Sequence, residues 1–259
     1  MISRYFRDSL YNYKALFSYY GILSYSLFKI VNSLFQISFF IMVSKYLFGQ
    51  RDGTFWVIGN AFMLSACNSL FGVGANATYE RVFGTLKYYV ASTTSILSRY
   101  IIQMIMHVLD GTLNILLGIL YGMLIWGMRI SILQFLQMIG ISVIAMVSIS
   151  GFSLLVGNLG LVVRDMTLVL NFIHMQILIC AGANYSIDSM PMIVKVVSKA
   201  TPLSHSIIAA RAVIMKSDDG IIKNIFYELI IGIAYVLLAA GVHFLIERAA
   251  IKKASLELI

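Results

Sequence analysis

The sequence predicts an all-α integral membrane protein with six transmembrane helices, and three observations carry that prediction. Hydrophobic residues make up 60% of the 259-residue chain and charged residues only 12%, against roughly 25% charged in a soluble domain. The apolar residues fall in runs of about 20, the length that crosses ~30 Å of hydrocarbon as a helix. The runs are continuous, which excludes the alternating strands of roughly 10 residues that build a membrane barrel.

The net charge of +8 is not clustered as on a nucleic-acid-binding face. Lys and Arg sit between the apolar runs, where lipid headgroups and chain orientation account for them, so no nucleic-acid partner is expected. Cys67 and Cys180 lie inside apolar runs and read as small buried side chains, with no metal-site spacing.

Residues 1–22 are expected to form an interfacial helix. Arg4, Arg7, Asp8 and Lys14 interrupt any signal-peptide core, while Phe6, Leu10, Tyr13, Phe17 and Tyr20 line one helical face. The first span is placed at 25–44, with Lys29 near its start able to snorkel to the headgroups. The second, 54–76, carries Ser65, Asn68, Ser69, Gly72 and Asn76 on one stripe, suited to close helix packing or to a polar path. A polar island follows at 79–95. Its Tyr79, Val82, Phe83, Leu86, Tyr89 and Val90 repeat with the helical period, so an amphipathic surface helix is expected there.

The third span, 96–126, has the most polar face in the chain: Arg99, Gln103, His107, Asp110, Asn114, Gly118 and Tyr121 recur every three or four residues. Asp110 falls near mid-bilayer, so this face must point into protein or water. His107 and Asp110, joined by Asn114, read as a buried hydrogen-bonded group that holds helices together; the alternative is a proton-linked site. The fourth span is expected at 132–158 and the fifth at 166–185, the latter with Thr167, Asn171, His174, Leu178 and Tyr185 on one face. Residues 186–220 contain both prolines and are too polar to cross. Pro191 opens one short helix over 192–200, and Thr201 caps a second that starts at Pro202 and runs to Met215, forming an outer hairpin. The sixth span is 221–246. With both termini inside, 11 Lys and Arg residues fall on the inner side and 8 on the outer, a bias toward cytoplasmic termini.

The sequence contains no G-x-x-x-x-G-K-[ST] phosphate loop, no H-E-x-x-H and no G-x-S-x-G elbow. Catalysis by this chain is therefore not expected, and any ATP it uses must be bound by another chain. The run Tyr79-Glu80-Arg81-Val82-Phe83-Gly84-Thr85-Leu86 resembles the E-R-x-x-G-T-L run that follows the second span in membrane permeases of type-2 ATP-binding-cassette (ABC) exporters. Ala91-Ser92-Thr93 resembles the A-T-P-like end of that segment, with Thr94 where the family commonly has proline nearby. Thr201-Pro202-Leu203, with Arg211 beyond, is similar to the P-L-x-x-x-x-x-x-x-R pattern before the sixth span.

The resemblance implies a single permease domain over 1–259 in a bacterial cell membrane, without a cofactor of its own. It implies a second permease copy, most simply an identical one, and two copies of an ATPase subunit that holds ATP and Mg. Residues 79–95 become the coupling helix, with Glu80, Arg81, Gly84, Thr85 and Lys87 at the ATPase contact and Tyr79, Phe83 and Leu86 packed on the bundle. Gly84 is expected to permit close backbone approach. The second and fifth spans line the path, which assigns candidate contacts to Asn60, Met63, Asn68 and Phe71, and to Asn171, Phe172, Met175 and Gln176. Met and Phe suit an adaptable apolar path for a drug-like compound, a lipid or an antimicrobial peptide. Export of lipid-linked polysaccharide or teichoic acid is the near alternative. An ion-coupled carrier or channel acting without an ATPase is the alternative of another class, but it predicts internal repeats that the sequence does not display.

Overall fold

The computed structural model describes residues 21–49, 53–85, 96–161, 163, 165–217 and 220–253, together with residues 7, 11, 14 and 88. Helix α1 (Ile22–Phe48) stops at Gly49, whose left-handed backbone (φ 62°) lets its N–H close on the Lys45 carbonyl. The helices that follow are α2 (Thr54–Gly74), the short α3 (Asn76–Val82), α4 (Ile96–Trp126), α5 (Ile132–Gly157), α6 (Met166–Cys180), α7 (Met192–Ser198), α8 (Ser204–Met215) and α9 (Ile221–Lys253). Their starts have local chemical causes. Ser131 and Gln134 form a reciprocal capping box at α5. Asp165 caps α6 by accepting from the Thr167 and Leu168 N–H groups.

Helix α2 is the centre of the bundle. Of its most apolar stretch 78% is buried inside the protein, against 17% for α1 and for α9, which leave most of their surface to lipid. It packs on α4 and α5; α9 lies along α5, and α1 along the edge made by α2 and α4. Small residues permit these approaches: a methyl group on Gly118 of α4 would fall 2.7 Å from the Ala61 Cβ of α2, and one on Gly232 of α9 would fall 3.0 Å from the Ser148 Cα of α5.

Among the described residues, five helices are long and apolar enough to cross a membrane. The segment expected to provide a further span at 166–185 is helical over only 15 residues, roughly 22 Å at 1.5 Å per residue. It ends where Gly182 turns into the left-handed region (φ 70°) and where Arg211 collects the Gly182 and Ala183 carbonyls.

The hairpin region contains two short helices, α7 and α8, but the second begins later than expected. Thr201 does not cap it, since its hydroxyl donates back to the Val197 carbonyl at 3.0 Å. The cap comes from α9. The carboxylate of Glu228, 0% exposed, accepts from the Leu203 N–H at 2.8 Å and the Ser206 N–H at 3.0 Å. Leu203 holds a left-handed conformation (φ 79°) that aims its N–H at this acceptor. Of the interfacial helix expected at 1–22, Arg7, Tyr11 and Lys14 are helical and the remainder up to residue 20 lies outside the described residues.

Candidate functional site

The polar face of α4 is met residue by residue by the helices before it. Arg99 lies 3.9 Å from a carboxylate oxygen of Glu80, Gln103 donates to Asn76 at 3.2 Å, and His107 sits directly over Gly72, where a methyl group would fall 2.2 Å from its Cε1. Asp110 is ion-paired with Lys29 of α1 and accepts from the Tyr25 hydroxyl. Asn114 accepts from Ser33 of α1 at 3.2 Å. One expectation changes as a result. Lys29 does not snorkel to the headgroups, because the Asp110 carboxylate offers a closer partner. His107 packs over Gly72 of α2, whereas Asp110 and Asn114 take partners from α1. The polar stripe of α2 likewise serves packing, with Ser69 and Ser150 of α5 sharing a hydrogen bond of 2.8 Å.

The surface element between α2 and α4 departs further from expectation. A helix was expected across 79–95, but α3 ends at Val82 and the chain turns at Gly84 (φ 67°). Among the described residues nothing lies within 4 Å of where a Gly84 side chain would begin, so within this chain glycine serves the left-handed backbone, and the close approach expected of it concerns a partner. The Thr85 N–H and hydroxyl both return to the Glu80 carbonyl, at 2.9 and 3.1 Å. Tyr88 is helical; Leu86, Lys87 and residues 89–95 lie outside the described residues.

The two faces of α3 are also exchanged. Glu80 and Arg81, expected to face a partner, are turned into the protein. Glu80 accepts from the Tyr100 hydroxyl at 2.9 Å, and Arg81 donates to the Val163 carbonyl at 2.8 Å. Burial raises the Glu80 carboxyl above the ordinary glutamate range, against the opposing pull of the Tyr100 hydrogen bond and the Arg99 charge. The aromatic stripe expected on the bundle faces outward instead: Val82 is 70% exposed and Phe83 74%, with the Tyr79 ring 6.4 Å from that of Phe83. Charge turns inward because α4 and the turn after α5 supply partners that periodicity alone does not reveal.

Tyr100 extends this end of the bundle toward α9. Its ring meets His243 edge to face at 5.8 Å, and His243 contacts Asn158 Oδ1 at 2.9 Å, while Asn158 donates to the Ala239 carbonyl at 2.8 Å. At the opposite end Arg211 donates to the Phe55, Gly182 and Ala183 carbonyls and lies on the Phe55 ring, 3.3 Å from its centroid. This clamp binds α8 to the start of α2 and the end of α6. Sequence reading singled out Arg211 but not Tyr100, Asn158, Glu228 or His243. Glu228, a lone carboxylate within an apolar run, was the available signal.

The candidate path residues divide. Asn60 and Met63 are enclosed in the bundle, Asn60 donating to Asn184 at 3.0 Å, so they line no surface in this conformation. Asn68 and Phe71 are half-buried, Phe71 against His174. Asn171, Phe172, Met175 and Gln176 form an exposed strip along α6, and an amide-bearing strip is poorly suited to lipid.

The family model described as ABC-2 type transporter matches residues 75–215, from the end of α2 to the end of α8. The chain belongs to the ABC-2 type transporter family. A search of curated proteins finds no match. As an ABC-2 permease it is a multi-pass transmembrane subunit of an ABC transporter, and its family implies association with an ABC ATPase and typically a dimer. The matched region contains the α3 turn, the α6 strip and Arg211 with its Gly182 and Ala183 partners.

Proposed function

We propose that this permease pairs with a second copy to export a hydrophobic or amphipathic compound, driven by two ATPase subunits that bind the ATP and Mg. In that reading six segments cross the membrane, α6 being the short one, with both termini in the cytoplasm. The α3 turn faces the ATPase and the α6 strip faces the second copy and the substrate.

One observation carries this reading: the outward apolar edge at Tyr79, Val82, Phe83 and Tyr88 lies on an element anchored to the bundle by Glu80 and Arg81. An exposed aromatic edge supplies the buried contact that partner recognition needs. The inward ion pair and hydrogen bonds make α3 move with α4 and α5. A push on Phe83 is therefore transmitted to the spans, and inward and outward states exchange as a two-state equilibrium.

The test is reconstitution with the cognate ATPase. The double change Val82→Ser with Phe83→Ser should weaken ATPase association and ATP-driven transport by about tenfold, the scale of a lost apolar anchor, with insertion and melting unchanged. Undiminished association, or equal loss for a control at the lipid-facing Leu237, rejects this docking surface.

A further inference from the structure

A cavity of about 760 Å³ opens between the hairpin helices α7 and α8 and the end of the bundle beside Phe55. That size falls within the roughly 300–1,000 Å³ of small-molecule sites. Its wall is divided in character. Met192, Val196 and Ile208 give an apolar side, while Lys195 and Lys199, one helical turn apart, bring two ammonium groups to the other. Neither ammonium has a carboxylate partner within ion-pair distance among the described residues. Asp188 is the one acid among the described lining residues, and Arg211 lines the cavity as well, its guanidinium held by backbone carbonyls.

An independent feature points to a ligand. Ser198 lines the same cavity and is 1% exposed, and its hydroxyl has no hydrogen-bond partner among the described residues. A buried hydroxyl left unbonded costs free energy that an incoming acceptor recovers. The hydroxyl donates one hydrogen bond, and the neighbouring lysines favour an anionic acceptor.

The geometry points to a binding site for an amphiphile with an anionic phosphate or carboxylate head, its head held by Lys195, Lys199 and Ser198 and its chain lying along Met192, Val196 and Ile208. The site lies far along the chain from the docking edge of α3 and is separate from the α6 strip. The head chemistry is shared by a resident acidic phospholipid and by a transported acidic amphiphile, which the experiment separates.

The binding arm uses the purified permease in phosphatidylcholine nanodiscs and requires no ATPase, so it stands apart from the transport reading. Short-chain phosphatidylglycerol is expected to bind at least about tenfold more tightly than short-chain phosphatidylcholine. The Lys195→Gln/Lys199→Gln double variant should erase that preference. Ser198→Ala should weaken phosphatidylglycerol binding without altering phosphatidylcholine binding. The second arm follows labelled phosphatidylglycerol in proteoliposomes with the ATPase. ATP-dependent crossing that fails in the lysine variant identifies a transported amphiphile, and selective binding without crossing identifies a resident lipid; both support the site. Equal binding of the two lipids, or an unaltered preference in the lysine variant, overturns it.

Discussion

Glu228 shows how one side chain organises a distant helix. A carboxylate with no exposed surface inside a membrane helix is tolerated because two N–H groups at the start of α8 point at it, combining charge-assisted hydrogen bonds with the positive end of the helix. Glu228→Gln keeps the shape but loses the charge and is expected to lower stability by about 1–2 kcal/mol; Glu228→Ala, which orphans both donors, should cost about 3 kcal/mol. Thermal melts in mild detergent measure both, and a wild-type melt for Glu228→Ala would mean that the Leu203 turn stands without its cap. Glu80 gives a pH test at the other end of the bundle. Burial raises its carboxyl above the ordinary value of 4.5, so the folded protein holds this proton more tightly than the unfolded chain does. The resulting stabilisation is complete below the ordinary value and is lost as pH rises through the raised one. The melting temperature of the wild type should therefore gain on that of Glu80→Gln as the pH is lowered from neutral toward 4.5; a constant difference would place the titration elsewhere.

At the scale of elements, α1 is the least anchored long helix near the core, and its seam with α4 is held by polar contacts from Tyr25 and Lys29 to Asp110 and from Ser33 to Asn114. Removing one ion leaves the other uncompensated. Asp110→Asn is expected to cost about 3 kcal/mol, whereas Lys29→Met with Asp110→Leu should restore most of that loss, because well-packed apolar residues replace a buried pair at little cost. A double-mutant cycle read by thermal melting decides the matter; additive losses would show that the two groups stabilise the fold separately. The same seam explains what was legible beforehand. The long spans α1, α2, α4, α5 and α9 were readable because length and hydropathy alone place a helix in lipid, and the polar stripes of α2 and α4 were readable because they answer each other, as Gly72 and His107 do. The orientation of α3 was not readable. Its periodicity marks a stripe, but lipid, protein and a partner all compete for an apolar face, and the contacts that decide, Tyr100 and the Val163 carbonyl, come from segments remote in sequence. The end of α6 was hidden for the same reason, since the Arg211 guanidinium that holds the carbonyls just beyond it comes from another helix.

For the whole molecule, the two kinds of exposed surface imply different neighbours. The outer face of α1 presents Leu27, Phe28, Phe35 and Phe39, and α9 presents Leu237 and Leu238, side chains that lipid solvates well. The α6 strip alternates Asn171 and Gln176 with Phe172 and Met175. Amides gain little from lipid but pair readily with amides across a helix interface, and methionine adapts to an irregular or changing contact. A dimer formed through α6 also sets the short helices of both copies side by side, where a segment of roughly 22 Å can leave room for a passage at its end. Cross-linking checks this arrangement directly. With Cys67 and Cys180 replaced by Ser and Ala, Met175→Cys should form a disulfide-linked dimer in native membranes on mild oxidation, while Leu237→Cys on the lipid-facing side of α9 should remain monomeric. If ATP and vanadate, added with the ATPase, change the Met175→Cys yield, the strip lies where the two states differ. Cross-linking at Leu237→Cys in preference to Met175→Cys would move the interface to α9 and make the α6 strip a surface of another kind.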